Sequence, residues 1–133
     1  MSEPAIDWDA ITDEAVELLS SYIRVDTANP PGNETLACDF YAEILDREGI
    51  PYRLYDPGEG RATLVATLEG DGSRGKSLIL LNHTDVVPFE RDHWSIDPLG
   101  GEIRDGHIWG RGTQDMKGMG IMELLSFLIH HRN

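Results

Sequence analysis

The stretch Leu78–Gly120, LILLNHTDVVPFERDHWSIDPLGGEIRDGHIWGRGTQDMKGMG, decides how this chain is read. It opens with Leu78-Ile79-Leu80-Leu81, apolar at every position, which predicts a strand covered on both faces and therefore central in its sheet. His83, Thr84 and Asp85 stand at the end of that strand. In extended backbone, residues two apart project to the same side, so the imidazole and the carboxylate point together. The stretch closes on Asp115, flanked by glycines and set just ahead of an apolar segment. His83, Asp85 and Asp115 are the candidate metal-site residues.

Each of them also has a plain structural reading. A ligating histidine usually gives its other ring N–H to a carboxylate, which fixes the tautomer. A histidine beside a surface acid at a strand end has the same spacing. In GRGTQDMKGMG, Gly110–Gly120, the glycines allow tight turns, and a carboxylate there suits bridging two cations about 3.5–4 Å apart. The same aspartate is equally suited to cap the following helix with its side-chain oxygen. Phosphate cradling is excluded more firmly. Gly110-x-Gly112 is followed by Asp115 where a dinucleotide fingerprint needs glycine or alanine, and no Gly-x4-Gly-Lys-Ser/Thr occurs.

Working outward, the segment from Asp9 to about Arg24 carries Ile11, Ala15, Leu18, Leu19, Tyr22 and Ile23 on one helical face. VDTANPPG, Val25–Gly32, ends that helix, because two prolines remove backbone donors and push the preceding residues towards extended geometry. A second helix is expected from about Asn33 to Glu48, on Leu36, Ala37, Phe40, Tyr41, Ile44 and Leu45, with Gly49 as its left-handed terminator. Strands are expected over Pro51–Tyr55 and Ala62–Leu68, then a turn over Gly70–Gly75. Glu102–Trp109 reads as a hairpin turning at Asp105-Gly106. From Met116 to about His131, Ile121, Leu124, Leu125, Leu128 and Ile129 mark a buried helix. This order predicts an α/β layer structure with helices covering a sheet.

The 133 residues suffice for one domain with a hydrophobic core, and 40% hydrophobic with 26% charged residues is ordinary globular composition. A formal charge of −13 repels a phosphate backbone, so nucleic acid is not an expected partner. No apolar run reaches the roughly 20 residues needed to span a bilayer, and MSEPAIDWDA lacks the basic and apolar regions of a signal peptide. A cytoplasmic protein without membrane attachment is the expectation. Cys38 is the sole cysteine. It allows no internal disulfide, supports no thiolate metal site, and reads as a small buried apolar residue.

NHTDVVP at Asn82–Pro88, HWSIDP at His93–Pro98 and DGHIWGRGTQDMKG at Asp105–Gly118 resemble the signature blocks of the M20 family of metallopeptidases and amidohydrolases. That family includes aminoacylases, acetylornithine deacetylases, succinyl-diaminopimelate desuccinylases and glutamate carboxypeptidases. DTANPPGNE, Asp26–Glu34, is similar to its N-terminal region, so the resemblance runs in order from about Asp26 to Gly120. It implies that His83 ligates one metal, that Asp85 is the catalytic-site carboxylate orienting it, and that Asp115 bridges two metals. It also implies a cis peptide bond at Asp115-Met116. Asn82 stands where many members carry glycine, although aminoacylase-like members also have asparagine near this point.

The resemblance implies a zinc-peptidase-like catalytic domain holding two Zn2+ ions in its complete site, with Co2+ or Mn2+ as other ions such donors accept. The implied substrates are N-acyl amino acids or small peptides, and the implied full-length form includes a homodimer. An adjacent Glu-Glu pair, a further acidic ligand and a late histidine belong to the family pattern and find no match here. After Asp115 the sole acidic residue is Glu123. Residues 1–133 thus read as the N-terminal portion of one catalytic domain, incomplete, without the lid or dimerisation domain and inactive alone. A non-catalytic binding or assembly module retaining the α/β half-domain is the alternative. Trp94 and Trp109 read as packing residues, Arg111 and Lys117 as loop-orienting or solvated charges, and His93, His107, His130 and His131 match no ligand position.

Overall fold

The computed structural model describes residues 5–73 and 75–133. Residues 1–4, part of the segment searched for targeting signals, and Arg74, in the expected turn, lie outside the described residues. Helix α1 spans Trp8–Ile23, helix α2 Glu34–Glu48 and helix α3 Gly118–Arg132. Strands β1 (Tyr52–Gly58) and β2 (Arg61–Ala66) pair antiparallel, as do β3 (Glu102–Arg104) and β4 (His107–Trp109). The protein is α/β, as expected.

Local chemistry accounts for these boundaries. Asp7 caps α1, its carboxylate accepting from the Ala10 amide at 3.1 Å. Gly49 ends α2 at φ 69°, a left-handed conformation that costs glycine least. Asp105 and Gly106 have φ of 54° and 74°, so the β3–β4 turn takes the two positive angles expected of it. None of the described helices is long and apolar enough to cross a membrane.

The core lies where the three helices meet the β1–β2 hairpin. Tyr22, Ala37, Ile44, Leu45, Ile50, Ile121, Leu124, Leu125 and Leu128 are buried together, with Ile11, Ala15, Leu18 and Leu19 of α1 packed against them. Tyr22 and Phe40 stack at 4.7 Å between ring centroids. Cys38 is buried and unpaired with another cysteine, as its composition suggested. Leu36, assigned to the buried face of α2, is instead exposed, and Ala42 is buried. The rest of the expected face holds: Ala37, Ile44 and Leu45 are in the core, with Phe40 and Tyr41 packed against it.

The central strand expected at Leu78–Leu81 is not formed. Leu78, Ile79 and Leu81 are 84, 82 and 80% exposed, and none of these residues belongs to a strand ladder. The sheet expected beneath the helices is therefore two separate two-stranded sheets. An all-apolar tetrapeptide signals a preference for burial, but covering both faces and both edges needs partners from other segments. Among the described residues the only bridge this segment makes is just beyond it, a parallel one between Ala28 and Val86.

At the far end of α3, Arg132 ties the three helices together. It donates to Glu14 of α1 through Nη1 and Nη2 at 2.8 Å each, and to Glu48 of α2 at 2.5 and 3.1 Å. The Arg132 hydrogen bond holds the Glu48 carboxyl below its usual value, against partial burial that raises it. A depressed carboxyl pKa contributes stability that is fully present above the unfolded value of about 4.3 and is lost as pH falls through the folded one. Arg132→Ala should cost about 1 kcal/mol at pH 7, the upper range for a partly exposed network, and the difference from wild type should shrink below about pH 4. Urea unfolding at both pH values measures this, and an undiminished difference in acid would remove the ion pairs from the account. The uncovered Leu78–Leu81 segment should bind an apolar-surface dye. Ile79→Lys combined with Leu81→Lys should reduce the dye fluorescence; unchanged fluorescence would place the dye-binding surface elsewhere.

Candidate functional site

The three candidate residues arrive on two segments that lack secondary structure of their own. His83 and Asp85 lie on the extended run that leads to Val86. Two hydrogen bonds pin that run to the proline-rich loop: Val86 N donates to Thr27 O at 3.0 Å and Asn29 N to Val86 O at 2.9 Å. The Thr27 hydroxyl, fully buried, donates to Thr84 O at 2.7 Å. On the other side Asn82 Nδ2 donates to Glu123 Oε2 of α3 at 2.8 Å, so Glu123 orients the residue before His83.

Asp115 lies in a loop, Thr113–Lys117, that joins the β3–β4 hairpin to α3. Gly112, at φ 86°, sits so close to Val86 that a side chain there would collide with Val86 Cγ1. The Asp115-Met116 peptide bond is cis, as the resemblance implied. Asp115 has extended dihedrals, and α3 receives no side-chain capping bond at its N-terminus. The capping role weighed for Asp115 is therefore not the one it takes, because its carboxylate turns away from the helix towards His83.

The structure brings all three residues together. His83 Nε2 lies 2.9 Å from Asp115 Oδ1, while Nδ1 lies 3.0 Å from the Asp85 carbonyl oxygen and 3.2 Å from Asp85 Oδ1. The imidazole thus has an acidic partner on each ring nitrogen. Its partial burial opposes a charge, but the hydrogen bonds to the Asp85 carbonyl and the Asp115 carboxylate outweigh it and raise the His83 pKa above the ordinary imidazole value. Asp85 Oδ2 accepts from Asn29 Nδ2 at 2.9 Å. That hydrogen bond is the main cause of a lowered Asp85 pKa, with the neighbouring His83 adding to it. Asp115 remains open, its side chain 86% exposed, so its second oxygen is available to a ligand.

The site stands on a ridge between two hollows. His83 and Asp85 line one of about 370 Å3, shared with Glu34, Tyr41 and Asn82. Asp115 lines the other, of about 500 Å3, with Trp94, Trp109 and Arg111. The Arg111 guanidinium packs 5.2 Å over the Trp94 ring, in keeping with a packing role for Trp94. Trp109 is 41% exposed and donates from Nε1 to Arg104 O at 3.3 Å. His93, His107 and His131 have partners elsewhere: Glu90, Asp105 O and Glu48 O respectively.

A metal ion fits the kind of donor present, an imidazole nitrogen beside a carboxylate oxygen. The number falls short. Among the described residues no group of three or more histidine, cysteine, aspartate or glutamate side chains is placed to hold an ion. His83 and Asp115 are two donors, and Asp85 faces the other ring nitrogen.

One contributor escaped the sequence reading, and a second, Lys117, was read there only as a loop-orienting or solvated charge. Asn29 reaches Asp85 from the proline-rich loop, a contact between residues far apart in the chain that no local pattern encodes. Lys117, read as a loop or solvent charge, is 1% exposed. Its Nζ donates to Tyr22 O at 2.9 Å and Val25 O at 2.6 Å and lies 4.4 Å from the centre of the Tyr22 ring. Burial lowers its pKa to about 8, with Asp26 acting in the opposite sense, so the ammonium form still prevails at pH 7.

Residues 79–133, which include all three candidate residues, match the model of Peptidase family M20/M25/M40. Pig (Sus scrofa) aminoacylase-1 is 36% identical over 111 residues, covering 83% of this chain and 27% of that protein. Human (Homo sapiens) aminoacylase-1 is 33% identical over the same length, with the same coverage. A probable succinyl-diaminopimelate desuccinylase of Staphylococcus aureus is 34% identical over 117 residues, covering 87% of this chain and 27% of that protein. The chain spans about a quarter of the length of the curated relatives it matches. The chain thus matches the M20 peptidase family over residues 79–133, and relatives 33–36% identical extend the likeness over most of its length.

Proposed function

We propose that this chain supplies one side of the active site of a metal-dependent hydrolase that cleaves amide bonds of N-acyl amino acids or small peptides. The observation that carries the proposal is the convergence of His83 Nε2 and Asp115 Oδ1 at 2.9 Å from two separate segments, with Asp85 and Asn29 ordered behind the imidazole. Relatives named for acylase and desuccinylase activities support the amide substrate class.

In this reading His83 offers Nε2 as a ligand, and Asp115 offers its carboxylate, whose exposed side chain suits a bridging role. Asp85 accepts the hydrogen bond of Nδ1–H, which keeps the proton on that nitrogen, leaves the Nε2 lone pair free and makes the ring a better ligand. Asn29 keeps Asp85 ionised and oriented for that task. When bound, a pair of zinc ions supplies Lewis acidity to the amide carbonyl and lowers the pKa of a water to about 7. The remaining donors and the general base come from parts of the whole protein with no counterpart among these residues, which is why no catalytic step is assigned to this chain alone.

The 133-residue chain should therefore bind Zn2+ weakly and turn over no N-acyl amino acid. His83→Ala should abolish the binding, and Asp85→Ala should weaken it about 10–100-fold, the usual effect of removing a ligand's hydrogen-bond partner. Calorimetric zinc titration with a parallel amide-hydrolysis assay tests all three statements. Substantial metal-dependent turnover by this chain would overturn the half-site reading, and zinc binding unaffected by His83→Ala would overturn the ligand assignment.

A further inference from the structure

A buried ammonium is costly, and the proposed function makes no use of Lys117. We propose that Lys117 is a positioning residue, which ties the Asp115 loop to the end of α1 and so sets the approach of Asp115 to His83. The functional consequence rests on the reading of Asp115 as a metal ligand; the geometric claim does not.

Residues 22–29 form a single anchor for both site segments. Tyr22 O and Val25 O accept from Lys117 Nζ. Thr27 O accepts from Val86 N, the Thr27 hydroxyl donates to Thr84 O, and Asn29 Nδ2 donates to Asp85. The run carrying His83 and the loop carrying Asp115 are thus fastened to the same short stretch, one by backbone and side-chain bonds around Val86, the other by the ammonium. Two further contacts stiffen the loop between its fastenings. Lys117 N donates to Gly112 O at 2.9 Å, and Gly112 is pressed against Val86.

A lysine that merely filled the core would need only its alkyl stem, as methionine would. Here the charged end does the joining. Tyr22 O, in the last turn of α1 at the negative end of the helix dipole, also accepts from Val25 N at 3.1 Å, and Val25 O lies two residues past the helix end. Nζ meets two acceptors there and lies over the Tyr22 ring. Removing the ammonium while keeping the stem takes away the side-chain donor that joins both carbonyls to the loop and frees the loop two residues from Asp115.

The test uses the metal-free 133-residue chain labelled with 15N, with the His83 ring nitrogens observed by long-range proton–nitrogen NMR. Asp115→Asn defines the signal of a ring that has lost its carboxylate partner. Lys117→Met should move His83 Nε2 to that position. Lys117→Arg, which retains donors for both carbonyls, should keep the wild-type signal. Leu128→Ala, which loosens the core along the same helix, should also keep it. A folded Lys117→Met protein with the wild-type signal overturns the proposal, as does an equal displacement in Leu128→Ala, which would mark general loosening. If Lys117→Met does not fold, Lys117→Arg decides: a wild-type signal supports the proposal and the Asp115→Asn signal overturns it. Failure of both variants to fold also overturns it, since a lysine needed for the whole core is more than a positioning residue. Zinc titration of the wild-type chain separates the two readings: no zinc binding alongside an intact His83–Asp115 signal removes the metal-site function and leaves the positioning role standing.

Discussion

The ammonium of Lys117 is buried against the carbonyls of Tyr22 and Val25 at the end of α1, where the segments that carry the site converge. A charged group taken out of water is tolerated only where acceptors meet its protons. The end of a helix provides them without distortion. Other segments gather at the same helix end. Ser20 Oγ donates to Gly101 O at 2.7 Å, Arg24 Nε donates to Gly100 O at 3.0 Å, and Gly110 packs so closely on Ile23 that any side chain there would collide with it. The loop before β3 and the entry to α3 are docked on the end of α1 by polar contacts to backbone, and the loop after β4 by close packing of Gly110 on the Ile23 side chain.

The acidity of the chain acquires a local meaning at the site. With a formal charge of −13, the protein surrounds His83 with a field that favours cations. Two aspartates flank the imidazole, and Asn29 donates to Asp85 where a cationic side chain would have neutralised it. In the proposed function a metal ion takes the place of the proton on the ring, because proton and metal use the same nitrogen lone pair.

Much of the fold was legible in the sequence, and the reasons are local. α1, α2 and α3 follow from helical spacing, the end of α2 from Gly49, and the β3–β4 turn from Asp105-Gly106. The neighbourhood of His83 and Asp85 follows from their separation by two on an extended segment. The cis bond at Asp115-Met116 followed only from likeness to related motifs, since nothing in the composition of that dipeptide demands it. Leu36 and Ala42 show the limit of spacing alone: both lie on α2, and which of them is buried depends on where α1 and the β1–β2 hairpin touch that helix.

By itself, then, the sequence determined the helices, two strands before Gly70, the β3–β4 hairpin, the family likeness and the three residues that compose the candidate site. Each rests on near neighbours or on motifs read in order. Tertiary structure alone decided that Leu78–Leu81 lies uncovered, that Lys117 is buried, that Asn29 reaches Asp85 and that Asp115 meets His83 instead of capping α3. Each of these depends on a partner from another segment. Burial and hydrogen bonding are properties of a pair, and a residue's own chemistry states what it will accept without stating what it will meet.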